Sequence, residues 1–177
     1  MKKAARASSA SGGRGLMIIN IKNKIVSLRG SSDITDTEGN KVFTVKGKVF
    51  SFRRKKFLYD KDGRLLFRIQ NKFINWFVHR AFIFDGEGNK VCSVKDKWFN
   101  VNNEYFVYDC KDEIKIDGKF MSRDSRILRN GEVIGFLHRN FDILRDSFQL
   151  EAQPSDLPFL AALIIALDNI VDNRQNG

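Results

Sequence analysis

Arg53-Arg54-Lys55-Lys56 is the densest run of cations in the body of the chain, and Phe50, Phe52 and Phe57 flank it. Such a cluster can grip acidic head groups while its aromatic neighbours touch the interface. Each cation held near an anionic surface contributes about 1 kcal/mol. The run falls where a strand over 49–52 has to turn back into one over 57–59, so four cations are expected at a hairpin tip. Lys22 and Lys24 add to the same face if the fold brings them near. The competing reading is a solvated turn with no ligand.

Other residue types point away from catalysis. His79, His138, Cys92 and Cys110 make up all the histidine and cysteine in the chain, and none stands at a metal-ligand spacing. Cys92 takes the inward strand position that Phe43 and Phe67 occupy elsewhere, which marks it as a small core residue. Two cysteines are too few for a disulfide scaffold, so a reducing, cytoplasmic setting is expected. The acid pairs Asp36/Glu38, Asp60/Asp62 and Asp85/Glu87 raise calcium as an option. A helix–loop–helix calcium loop needs ligands at five or six spaced positions, whereas after Asp62 the chain runs straight into an apolar strand. No phosphate-binding glycine loop, dinucleotide fingerprint or serine elbow is present. The expectation is a non-enzyme with no metal and no cofactor.

The elements that must position the basic run are β-hairpins. A unit of 24 to 25 residues repeats, marked by Asp36, Asp60, Asp85 and more faintly Asp109. Three residues after each of the first three comes Gly39, Gly63 or Gly88. The aspartate caps a turn through its own backbone, and the glycine supplies the positive φ that closes it. Beyond each turn the side chains alternate: Phe43 and Val45 point one way and Thr44 and Lys46 the other. Phe67 and Ile69, then Cys92 and Val94, repeat that phase. Asn130-Gly131 is the strongest two-residue hairpin signal, joining 125–128 to 132–138. A first strand over 16–21 and a last one over about 146–152 bring the expected total to about twelve.

The last segment, Leu157 to Val171, is apolar on every helical face, so something must cover all of it. Fifteen helical residues rise about 22 Å, while crossing a bilayer core takes roughly 20 apolar residues. Asp168 and Asp172 also interrupt the run. A helix over about 156–171, sheathed by the chain's own strands, is therefore expected, with Ser155 or Asp156 as N-cap. A bilayer or a partner is the other possible cover. A carboxylate buried at Asp168 requires a partner, and an inward Lys or Arg, or backbone N–H groups at the barrel end, is expected to supply it. Twelve antiparallel strands around one helix suggest a closed barrel, which leaves no exposed edges. A two-sheet sandwich with the helix at one end is the alternative.

The chain has 177 residues, 42% of them hydrophobic, and a net charge of +10. That is enough for one domain with a substantial core and is unlike a disordered protein. Residues 1–15 read as a flexible basic leader or tag, lacking the apolar stretch of a secretory signal. Residues 16–173 read as the barrel domain and 174–177 as a polar tail. The leader carries four cations and no acid, which leaves 27 bases against 21 acids in the body, or +6. A folded domain with that balance attracts polyanions, although surplus charge also serves solubility alone.

The hairpin units (D-x-x-G-N-K-V, Y-D-K-D-G, F-D-G-E-G-N-K-V) and the ending D-S-F-Q-L-E-A … L-A-A-L-I-I-A-L-D-N-I resemble the LURP-one-related family, over residues 16 to about 173. That family is grouped with the tubby C-terminal domain and the phospholipid scramblases. The resemblance implies a twelve-stranded, mainly β barrel threaded by its C-terminal helix. Tubby relatives bind phosphoinositides and scramblases act at membranes, but most LURP-one-related members have no established activity. The tubby lipid-binding lysine and arginine have no assignable counterpart here, so no residue is carried over. The expected function is reversible, peripheral docking on acidic phospholipid or phosphoinositide surfaces by a monomer without a transmembrane span. Arg53, Arg54, Lys55, Lys56, Lys22 and Lys24 are its anion-binding residues. Asp168, Gly39, Gly63 and Gly88 have structural roles. Non-specific nucleic-acid binding and a structural or stress-response scaffold are the alternatives.

Overall fold

The computed structural model describes residues 15–22, 31–47, 55–72, 79–96, 105–118, 124–142 and 145–175. Twelve strands precede one helix: β1 (Met17–Lys22), β2 (Ser31–Asp36), β3 (Lys41–Gly47), β4 (Lys56–Asp60), β5 (Leu65–Lys72) and β6 (Arg80–Asp85). They continue as β7 (Lys90–Asp96), β8 (Tyr105–Tyr108), β9 (Ile114–Asp117), β10 (Asp124–Arg129), β11 (Glu132–Asp142), β12 (Arg145–Ala152) and α1 (Leu157–Gln175). Every ladder is antiparallel, in the order β8-β7-β6-β5-β4-β3-β2-β1-β12-β11-β10-β9. The two ends of that order, β8 and β9, are consecutive in the chain. The sheet therefore curls into a barrel that is nearly rather than fully closed, since no ladder joins β8 to β9 among the described residues.

The alternation read from the sequence sets the wall. Val45, Leu58, Ile69, Ile83, Cys92 and Val94 turn inward and are fully buried. Thr44 and Lys46 face out. Inside runs α1, whose residues Leu160 to Ile170 are all buried, and it packs against β5, β6, β7 and β12. Leu160 N donates the first helical bond to Asp156 O at 3.0 Å, so Asp156 begins the helix. Its carboxylate is taken by Arg129 Nη1 at 2.8 Å. The helix runs to Gln175, beyond the expected stop at 171, which places Asp168 inside the helix rather than in its last turn. Among the described residues no helix is long and apolar enough to cross a membrane.

The three repeat turns share one chemistry. Asp36, Asp60 and Asp85 each accept backbone N–H groups two and four residues on through Oδ1, at 2.8 to 3.0 Å. Oδ2 accepts from the side chain of Asn40, Arg64 or Asn89. Gly39, Gly63 and Gly88 occupy φ of 89°, 82° and 94°, where a Cβ would be strained. Each extra residue forces a bulge beside the turn, at Ile34/Thr35, Leu58/Tyr59 and Ile83/Phe84. Asn130 and Gly131 both take positive φ, 51° and 85°, as a primed two-residue hairpin demands.

Those hydrogen bonds favour the ionised carboxylates. Asn40 holds the Asp36 carboxyl below its usual range, the Arg64 backbone does the same for Asp60, and Asn89 for Asp85. Unfolding restores the ordinary value near 3.9. The turns' contribution is therefore complete above that value and lost as pH falls through the lowered folded ones. Combining Asp36→Asn, Asp60→Asn and Asp85→Asn should lower the urea midpoint at neutral pH and flatten its decline between about pH 5 and pH 2. An acid limb as steep as the wild type's would remove the turns as its cause.

Candidate functional site

Antiparallel alternation sorts the connections onto two ends of the barrel. At one end lie the tight turns 37–40, 61–64, 86–89, 109–113, 130–131 and 153–156. At the other end the chain continues through 23–30, 48–55, 73–79, 97–104, 118–123 and 143–144. By sequence this second set carries Lys24, Arg29, Lys48, Arg53, Arg54, Lys55, Lys97, Lys119 and Arg123 against the lone acid Glu104. It also holds both tryptophans, Trp76 and Trp98. Among the described residues, cutting every strand and the helix at their midpoints leaves −4 on the turn half and +3 on the other, and by sequence the connections that follow the second half add +7. The described charge is polarised along the barrel axis. Composition alone hides this, and only the strand order reveals it.

Of the expected basic cluster the structure describes Lys22, Lys55 and Lys56, and it corrects the last of these. Lys22 ends β1 and is exposed; its charge helps to hold Asp33 in its ionised form, after the larger contribution of the Lys41 hydrogen bond. Lys55 is half-buried just ahead of β4. Strands β1 and β4 are three apart, so these two cations stand on the order of 14 Å from each other at the same end. Arg53, Arg54 and Lys24 lie outside the described residues. Lys56 does not belong to an exposed tip. It is the first residue of β4, in phase with inward Leu58, and only 6% exposed. Its Nζ lies 3.5 Å from Asp168 Oδ2, so Lys56 is the inward cation that the helix carboxylate requires.

Around that pair the basic end has a polar lining on its inner wall. Asn71, two positions beyond inward Ile69, and Asp96, two beyond inward Val94, are both 4% exposed. Asp96 accepts the backbone N–H of His79 at 2.9 Å and faces its Nδ1 at 3.3 Å. His138 Nδ1 meets Asp124 Oδ1 at 2.7 Å, also at this end. Among the described residues Asn71 has no hydrogen-bond partner for either amide atom, nor has the Asn169 nitrogen. Sequence reasoning missed these residues. Continuing the period-2 phase through Leu58, Ile69 and Val94 would have found Lys56, Asn71 and Asp96.

A second feature it missed lies on the outer wall, where cations cover aromatic rings across neighbouring strands. Lys46 lies 5.0 Å from the Tyr59 ring, Arg68 4.3 Å from Phe84 and Lys95 6.0 Å from Phe106. Arg68 with Phe84 and Lys95 with Phe106 are register partners. Such pairs are worth about 0.5–1 kcal/mol when exposed, and they also hold the cations flat against the barrel.

The cysteine expectation is overturned. Cys92 of β7 is bonded to Cys110, which follows β8, with the two Cα atoms 4.5 Å apart. Cys92 is a small core residue as read, but it is not free, and the inference of a reducing compartment loses its premise. The bond was illegible because it needs the register of β7 on β8, which sets Ser93 opposite Tyr108 and so brings Cys92 beside the chain leaving β8. Among the described residues no three His, Cys, Asp or Glu side chains group as metal ligands.

The LURP-one-related family model matches residues 17–168. An X-ray structure of a protein from Arabidopsis thaliana shares 23% identity, over 88% of this chain and 91% of that one, with a TM-score of 0.64. At that identity the likeness shows the fold. No curated protein matches.

Proposed function

We propose that this chain, which belongs to the LURP-one-related family, is a non-enzymatic protein that docks peripherally and reversibly on acidic phospholipid surfaces, basic end first. The carrying observation is the division of charge among the described residues, −4 on the turn half against +3 on the other, to which the connecting segments add +7 by sequence. An anionic surface attracts the first and repels the second, so the field orients the barrel before contact. The basic connections also carry Trp76 and Trp98, and tryptophan favours the head-group layer. A phosphoinositide preference would add more charge per head group to the same attraction.

Co-sedimentation with vesicles of phosphatidylserine in phosphatidylcholine, against phosphatidylcholine alone, tests the reading. Pelleting is expected only with the anionic vesicles, weakening as salt rises. Arg53→Gln with Arg54→Gln should weaken it roughly thirtyfold, at about 1 kcal/mol per cation. Equal and negligible pelleting with both vesicles overturns the proposal.

Nucleic acid is the second reading, favoured by one observation: the outer-wall cations lie on aromatic rings, a pairing that also suits single strands. Competition separates the two readings. If a single-stranded oligonucleotide binds and Arg68→Gln abolishes that binding without affecting vesicles, the outer wall has a ligand of its own.

A further inference from the structure

We infer that the Cys92–Cys110 bond is a thiol–disulfide exchange site that latches the seam of the barrel, and that its co-reactant is a dithiol. Among the described residues β8 and β9 are not hydrogen-bonded to each other, and the strap 109–113 crosses between them. On one side the strap is tied to β7 through the disulfide and through Asp109, which accepts from Lys90 Nζ at 2.8 Å and Ser93 Oγ at 3.0 Å. On the other side Asn130 holds it. Glu113 N donates to Asn130 Oδ1 at 2.9 Å, and Asn130 N donates to Glu113 O at 2.9 Å. The Lys90 and Asn130 ties lie in water, where each is worth little. The covalent tie is the one that solvent does not compete with.

The two sulfurs are not equally open. Cys92 is fully buried, whereas Cys110 is partly exposed. An incoming thiolate therefore attacks Cys110 Sγ, the S–S bond breaks, and Cys92 leaves as a thiolate that takes up a proton. The second thiol of the co-reactant then attacks its own sulfur in the mixed disulfide and releases Cys110 as the second protein thiol. Two electrons pass to the protein, the dithiol becomes a disulfide, and the atoms balance. Losing the tie frees β8 and the strap, while the other strands keep their ladders and their contacts with α1.

The test starts with protein purified without reductant, treated with dithiothreitol in native buffer and quenched with an alkylating agent. Mass spectrometry is expected to show two alkylated cysteines without denaturant. Amide exchange should rise roughly tenfold or more in 105–113 only. Joint Cys92→Ser and Cys110→Ser should give the same exchange map with no reductant. If that variant fails to fold, the reduced wild-type protein supplies the map. Two free thiols before treatment, reduction only after denaturation, or an exchange increase spread over all strands would each overturn the latch.

Discussion

A chain that ends at Asp156 is expected to show no cooperative unfolding transition by near-ultraviolet circular dichroism. The helix it lacks supplies Leu157, Leu160, Leu163, Ile164, Ile165, Leu167 and Ile170, each at most 1% exposed. At about 1.5–3 kcal/mol for each large aliphatic side chain, their burial is worth roughly 10–20 kcal/mol, an upper bound because unfolded chains are partly compact. A whole domain is stable by only about 5–15 kcal/mol. Removing the helix also exposes the inner faces of β5, β6, β7 and β12, which have no other cover. The strands therefore have no folded state of their own, and the helix cannot leave the barrel while the barrel persists. A sigmoidal thermal transition in the truncated chain would show that the wall stands alone and would break the sheath argument.

Much of this architecture follows from local rules that act within a few residues. An aspartate three residues before a glycine makes its turn whatever surrounds it, and Asn130-Gly131 does the same. Alternation then decides which side chains meet the interior, so Ile69 and Val94 were readable from their neighbours alone. The continuous greasiness of 157–167 could only mean burial, and length separated a sheathed helix from a spanning one. What stayed hidden depends on relations between distant segments. The Arg53–Lys56 run looked like four equivalent cations because adjacency in sequence suggests a shared surface. A strand divides such a run: once β4 begins at Lys56, that residue belongs to the inner face and Lys55 does not. The Cys92–Cys110 bond likewise needs a register before it can be drawn. The charge dipole lies between these cases, because every charge is visible in the sequence but its end of the barrel is set by strand order.

Replacing either Lys56 or Asp168 alone should cost about 3–5 kcal/mol, because each change breaks a buried ion pair. For a domain of this size that corresponds to a melting temperature lower by roughly 10 °C. The residues are 112 apart in sequence, and their side chains are 8% and 4% exposed. The pair links the first residue of β4 to the helix interior and so fixes how far α1 slides within the wall. Lys56→Met combined with Asp168→Leu removes both charges and fills similar volume, so it should be near neutral or stabilising. The two single changes would then be strongly non-additive, with a coupling of about 6 kcal/mol or more from these costs. The buried pair lies toward the basic end of the barrel, the end proposed to meet the membrane. If the paired replacement is more stable yet still pellets with anionic vesicles, the inner polar lining serves helix register. If it is more stable and no longer binds, the lining serves the surface. If both single variants melt with the wild type, Lys56 and Asp168 do not hold each other, and the register argument fails.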